Sequence, residues 1–210
     1  DIAHVEGRID PVADAETVET ELMLADLESL EKRVDGLSKR AKVGDKDSKA
    51  MLPLVEAAIA ALKKGEPART VSVAASDRPF WNQLQLLTSK PVLYVCNVEE
   101  AAAATGNAFS TKVAEMAAKE GARSVVISAA IEAEVAQLAD EAERKDFLAS
   151  LGLPEPGLNK IIREGYALLG LLTFFTAGPK ESRAWTVDAG AKAPQAAGVI
   201  HTDFERGFIR

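Results

Sequence analysis

Apolar residues recur at heptad spacing near the start of the chain. Met23, Leu27, Leu30, Val34 and Leu37 are separated by 4, 3, 4 and 3 positions, with Glu28, Glu31, Lys32 and Arg33 between them. Such a seam predicts a long helix over Pro11–Leu37 that packs on a partner helix. Gly44-Asp45 breaks the pattern. A second helix follows, with Val55, Ala58 and Leu62 on one face. Pro53 is expected in its first turn, where a missing N–H costs little, and Gly65 and Pro67 end it. Two such helices joined by a short polar turn predict an antiparallel hairpin. The alternative is two separate amphipathic helices laid on a globular core.

Beyond Pro67 the period changes. Thr70–Val73 is rich in β-formers. Pro91–Val95 and Arg123–Ile127 are short apolar runs without alternation, which predicts strands buried on both faces of a parallel sheet. Phe109–Lys119 and Ile131–Ser150 read as helices, giving the order strand–helix–strand–helix of a parallel α/β sheet. Gly157 precedes one more helix, Leu158–Leu169. The composition then shifts to Thr, Phe, Gly and Trp. Leu172–Thr176 and Ser182–Val187 predict strands joined by a turn at Gly178-Pro179, the beginning of a small β-containing domain.

Hydrophobic residues make up 47% of the 210, enough for a real core. A net charge of −7 argues against a protein that coats nucleic acid generally, and leaves room for a local basic patch. The one cysteine, Cys96, permits no internal disulfide, fits a reducing compartment and reads as a small core residue. Apolar stretches such as Ala167–Leu172 are too short to span a bilayer, so the cytoplasm is the expected location. The sequence opens without Met and inside an ongoing segment, so it is expected to be part of a longer protein.

The chemistry concentrates at Val95-Cys96-Asn97-Val98-Glu99-Glu100, directly after the first apolar strand. Ligands of open α/β sheets bind outside the carboxyl ends of the strands. An Asn-x-x-acid tetrad there resembles the base-reading loop of P-loop GTPases, Asn-Lys-x-Asp, in which Asn braces loops, the Lys stem covers the base and Asp accepts two guanine N–H groups. Here Val98 stands for the Lys and Glu100 for the Asp. The aliphatic cover survives, and the longer Glu carboxylate overreaches, which argues against guanine. Adenine offers an N6 donor and an N1 acceptor that backbone groups near Val98 can satisfy. The next strand ends in Ile127-Ser128-Ala129-Ala130, where GTPases carry Ser-Ala-Lys.

Longer blocks extend the likeness. His4–Arg33 (HVEGRIDPVADAETVETELMLADLESLEKR) resembles the segment after the Asp-x-x-Gly switch loop of YchF-type Obg-like ATPases. Leu86–Glu100 and Val125–Glu134 look like that family's base-side loops, and Phe174–Arg210 resembles its TGS domain. The resemblance implies a mixed α/β fold: part of a P-loop NTPase with a parallel sheet, an inserted antiparallel coiled-coil hairpin, and part of a C-terminal β-grasp (TGS) domain. The expected divisions are 1–19 and 70–170 for the G domain, 20–69 for the hairpin and 171–210 for the TGS part. It also implies an ATPase using ATP, in preference to GTP, with Mg²⁺. The expected nucleotide-binding residues are Asn97, Val98, Glu100, Ser128 and Ala129. The implied partner is the ribosome, as large subunit or 70S particle, with no membrane.

The chain contains no G-x-x-x-x-G-K-[ST]. It therefore offers no phosphate nest, no Lys for the phosphates and no hydroxyl for Mg²⁺. These 210 residues alone are expected to be inactive in hydrolysis, with no catalytic residue and no metal ligand among them, and an open sheet edge is expected to make them poorly behaved. His4 and His201 lie far apart and have no metal-site spacing. His201 reads as structural and Trp185 as core. Two basic clusters remain: Lys39, Arg40, Lys42, Lys46 and Lys49 near the hairpin tip, and Lys180, Arg183, Lys192, Arg206 and Arg210 in the last segment. Each reads either as a solvated face or as a contact for ribosomal RNA phosphates. An alternative to the enzyme reading is a ribosome-binding module in which nucleotide only tunes docking.

Overall fold

The computed structural model describes residues 9–209. His4, the first residues of the block His4–Arg33, and Arg210 lie outside them. The chain divides into two compact units, one reaching to Pro91 and the other running from Val92.

The first unit is helical. Helix α1 spans Pro11–Lys42 and α2 spans Lys46–Leu62. Asp10 starts α1 by accepting the Ala13 amide at 3.2 Å, with Pro11 in the first turn. Gly44, at φ 99°, ends it: its amide donates to the Ala41 carbonyl and that of Asp45 to Arg40, a Schellman pair. The predicted seam is the observed one. Leu30 and Leu37 are buried against Val55, Ala58 and Leu62, and Met23, Leu27 and Val34 pack on them. Each fully buried Leu or Val contributes about 1.5–3 kcal/mol, so the seam is the main stabilising term of this unit.

Two expectations fail here. Pro53 sits inside α2 rather than in its first turn. Asp45 starts the helix early by accepting the Ser48 amide at 2.9 Å. Pro53 is exposed, and so is Lys49, whose carbonyl the ring deprives of its donor and leaves to water. Thr70–Val73 is not a strand. A 3-10 turn covers Ala68–Thr70, and Val71 and Val73 pack on the helical core. A short helix not foreseen, α3 (Arg78–Leu84), buries Trp81 and Leu84 in the same core.

A buried carboxylate ties these pieces together. Asp26, on α1 and 3% exposed, accepts the Leu87 and Thr88 amides, each at 2.8 Å, and the Thr88 hydroxyl at 2.7 Å. The Thr88 oxygen accepts the Ala68 amide at 3.0 Å, and its carbonyl accepts the Arg69 amide at 3.0 Å. Arg69 in turn pairs with Glu19 of α1 at 2.7 Å.

The second unit opens with a two-stranded parallel sheet, β1 (Leu93–Asn97) and β2 (Arg123–Ile127), paired from Leu93↔Arg123 to Asn97↔Ile127. Helix α4 (Ala108–Glu120) crosses between them, capped by Asn107. The strands are only partly covered, with Val95 45% exposed, not buried on both faces as their apolar runs predict. The expected helix Ile131–Ser150 is two helices, α5 (Ala129–Gln137) and α6 (Glu141–Ser150). The break is chemical: Asp140 accepts the Ala142 amide and starts α6, while the Leu138 carbonyl accepts the Arg144 side chain at 2.7 Å. Helix α7 (Gly157–Leu168) follows. The chain then forms an antiparallel hairpin of β3 (Leu171–Ala177) and β4 (Ser182–Asp188), with Phe174 opposite Trp185. Two further helices not foreseen, α8 (Ala193–Ile200) and α9 (Thr202–Arg206), end the described chain.

Replacing Asp26 with Ala strands two amides and a hydroxyl in the helical unit. The Asp26→Ala chain is expected to lose on the order of 3 kcal/mol in urea unfolding followed by far-UV circular dichroism. A loss below about 0.5 kcal/mol would remove Asp26 from this role.

Candidate functional site

The predicted site residues stand at the carboxyl ends of two adjacent parallel strands. Asn97 is the last residue of β1 and lies opposite Ile127, the last of β2. The Val98 amide donates to the Ile127 carbonyl at 2.9 Å, which carries the ladder one step past the strands. The Asn97 side-chain oxygen accepts the Ala129 amide, also at 2.9 Å. Ala129 is the first residue of α5, so Asn97 satisfies one of the amides that every helix start leaves open. Two loops 32 residues apart in sequence are thereby fixed to each other.

Ser128 occupies the N-cap position of α5 but makes no side-chain cap bond. It is 3% exposed, and among the described residues its hydroxyl is a buried polar atom with no hydrogen-bond partner. Its carbonyl accepts the Glu132 amide at 3.0 Å. Ala129 is exposed and Val98 half-buried. Glu100 opens a 3-10 turn over Glu100–Ala102, and its exposed side chain makes no bond to the other four residues. Hydrogen bonds therefore join Asn97 to Ala129 and Val98 to Ile127 across the two strand ends, Ser128 lies between Ile127 and Ala129 in the chain, and Glu100 stands apart.

Glu132 and Gly157 were not visible as site residues in the sequence. The Glu132 carboxylate accepts the Gly157 amide at 2.6 Å and the Leu158 amide at 3.1 Å, which caps α7 from α5. A Cβ on Gly157 would lie 2.7 Å from Cγ2 of Ile127 and 3.0 Å from Oε1 of Glu132. Only glycine lets α7 start this close to β2. The pattern Pro154-Glu155-Pro156-Gly157 signals a helix start, but nothing local signals a capping carboxylate 25 residues earlier.

The remaining candidates are structural. Cys96 is half-buried rather than core, and desolvation raises its thiol pKa, which favours the protonated form. His201 caps α9 by accepting the Asp203 amide at 3.2 Å. Trp185 is half-buried, donates to the Thr176 hydroxyl at 2.9 Å, and lies under the Arg183 guanidinium at 5.0 Å. Among the described residues no three His, Cys, Asp or Glu side chains converge where a metal ion could sit. None of their helices is long and apolar enough to cross a membrane.

The chain is 51% identical over its full length to the protein named ribosome-binding ATPase YchF in Haemophilus influenzae, and 48% identical to the protein of that name in Bacillus subtilis. The chain belongs to the YchF family. It spans 57% of the length of these curated relatives. The structure of the Schizosaccharomyces pombe YchF GTPase matches the whole chain and 57% of its own, with a TM-score of 0.81 and 33% identity. The family model YchF-GTPase_C, described as a protein of unknown function (DUF933), matches residues 171–210. This TGS-like C-terminal part of the chain contains the β3–β4 hairpin and its two following helices.

Glu132→Ala frees two amides at the start of α7, and Gly157→Ala forces a methyl group against Ile127. Each is expected to cost about 1–3 kcal/mol and to speed amide exchange at Leu158 relative to β1. Wild-type exchange at Leu158 in both variants would contradict the cap.

Proposed function

We propose that this chain supplies the base-side half of an ATP site in a ribosome-associated, ATP-hydrolysing switch protein of the cytoplasm. The observation that carries the reading is the hydrogen bond from the Ala129 amide to Asn97, which holds two strand-end loops in one rigid rim. Its finer fold is the base-side part of a P-loop NTPase, followed by part of a β-grasp TGS domain. The relatives' printed name supports the activity and the partner, and the residue types of the two strand-end loops support the base.

Each residue then has a role set by its chemistry. The Asn97 oxygen is committed to Ala129, while its NH₂ group remains free to donate to a purine N7, an acceptor common to adenine and guanine. Asn97 thus holds a purine without choosing between the two. The choice falls to Val98, whose aliphatic side chain covers the base and whose carbonyl can accept the adenine N6 amino group, its amide being committed to Ile127. Ser128 brings a buried hydroxyl without a partner, the kind of group that a ligand-binding loop retains at a cost of about 1–3 kcal/mol. Glu100, in its exposed turn, does not offer guanine the carboxylate that an Asp would. Mg²⁺ would neutralise charge on the phosphates, and its ligands, like the phosphate loop, lie outside this chain.

A second reading makes ribosome docking the primary activity, with nucleotide only tuning it. The name of the relatives and the exposed cations at the α1–α2 turn favour it. Under the switch reading, ribosome affinity changes about tenfold or more between ATP and ADP; under the tuning reading it changes by less than about threefold.

The test is nucleotide titration of the full-length YchF-family protein carrying this sequence. ATP is expected to bind at least about tenfold tighter than GTP. Asn97→Ala is expected to weaken both by about tenfold, and Val98→Lys to narrow the gap between them. Equal affinity for ATP and GTP would contradict adenine reading, and an unaffected Asn97→Ala protein would remove the rim from the site.

A further inference from the structure

The helical hairpin is electrically polarised along its length. From Pro11 to Asp35, α1 carries eight carboxylates against Lys32 and Arg33. From Gly36 through the turn to Lys49 the sign reverses: Lys39, Arg40, Lys42, Lys46 and Lys49 face only Asp45 and Asp47. All five cations are exposed. Arg40 acts on Asp45, whose carboxyl is held below its usual range first by the Ser48 hydroxyl and amide and then by this charge. Among the described residues, Lys39, Lys42, Lys46 and Lys49 form no ion pair.

Local helix chemistry explains only part of this arrangement. Lys39, Arg40 and Lys42 occupy the last turn of α1, where cations offset the negative end of the helix dipole. Lys46 and Lys49 occupy the first turn of α2, where the dipole is positive and a cation is unfavourable by about 0.3–1 kcal/mol. The turn carries them against local preference, and such conflicts mark functional surfaces. Mutual repulsion among five cations adds to the cost. Both are relieved by a polyanion.

The tip is a rigid surface. Ala41 and Ser48 are buried just behind it, and the Gly44 turn is fixed by two backbone bonds. The lysines fall in two i,i+3 pairs, Lys39/Lys42 on α1 and Lys46/Lys49 on α2, so each helix presents one pair side by side. Val43, 84% exposed, is the one large apolar residue of the turn, too little for insertion into a lipid surface. Of the C-terminal cations, Arg183 lies on Trp185.

We infer that the α1–α2 turn is an RNA-docking tip, in which Lys39, Lys42, Lys46 and Lys49 contact the phosphate backbone of a structured RNA while the acidic shaft of α1 is repelled from it. This identifies a surface and a partner chemistry for the ribosome association proposed for the family, and it rests on that reading for its biological setting. Backbone contacts of this kind are sequence-independent and strongly salt-dependent.

The experiment uses the full-length family protein carrying this sequence, and compares wild type with K39E/K42E/K46E and with the neutral K39Q/K42Q/K46Q. Affinity is measured for ribosomes by co-sedimentation and for a naked ribosomal RNA helix by fluorescence anisotropy over a salt series. Wild type is expected to bind the helix, the Gln variant to lose about tenfold and the Glu variant more. The slope of log affinity against log salt is expected to fall by about 2–3 for three lost phosphate contacts. Affinity for ATP is expected to stay within about twofold of wild type, since the tip is not placed in the nucleotide rim. Absent helix binding by wild type, or variants with unchanged affinity and slope, would overturn the tip. Ribosome binding that falls in the variants while the naked helix is never bound would assign the tip to an acidic protein and also overturn the RNA inference. Wild-type protein that binds the helix but not ribosomes would remove the ribosome reading and leave the tip standing.

Discussion

The hydrogen bond between the Ala129 amide and the Asn97 side chain fixes the end of the parallel sheet. A helix start always presents amides without partners, and a strand end always leaves a loop to be placed. Asn97 meets both needs with one oxygen. The bond makes the β1 and β2 exits a single rim, continued by the Val98 amide on the Ile127 carbonyl. Its consequences extend along the chain. Once Ala129 is fixed, α5 has a fixed start. Glu132, one turn on, is then placed to cap α7, and Gly157 permits the approach. From α7 the order passes to the β3–β4 hairpin, where Tyr166 meets the Thr186 hydroxyl and the Gly170 carbonyl accepts the Ala189 amide.

The helical unit uses the same device in a buried setting. There an anionic acceptor, Asp26, collects two amides and a hydroxyl from a segment some 60 residues away. A buried carboxylate is costly unless its lone pairs are filled, and three short bonds fill them here. In both units a side-chain acceptor ends a run of loop amides, and apolar packing supplies the mass of the stabilisation around it. The seam of α1 and α2 fixes which helices meet, and Asp26 determines where the chain leaves them.

The parts of the fold legible in the sequence are those with a period or a local run of telling residue types. Leu30, Leu37, Val55 and Leu62 recur at helical spacing because one face must avoid water, and they form the observed core. The strands are legible as short apolar runs, the first predicted at Pro91–Val95 and observed at Leu93–Asn97, and the turn at Gly178-Pro179 by its residue types. The parts that were not legible depend on single long-range partners. Thr70–Val73 has the composition of a strand, but Val71 and Val73 find a helical core to cover them. Asp26 reads as one more charge on a charged helix until Leu87 and Thr88 arrive. Pro53 is tolerated inside α2 because its side of the helix faces water. At the rim, the sequence points to Asn97 through the residue types around it, whereas Glu132 and Gly157 are visible only once α7 is in place.

On the proposed reading, the strand-end rim of Asn97, Val98, Ser128 and Ala129 is the adenine side of a nucleotide site. The most direct measurement is residue-resolved amide NMR of the full-length family protein during titration with ATP. Saturable shifts are expected at Val98 and Ala129, attenuated shifts at Glu132, and none at Val43 or Gly44 in the hairpin turn. ATP binding that leaves the Val98 and Ala129 amides unperturbed would contradict it.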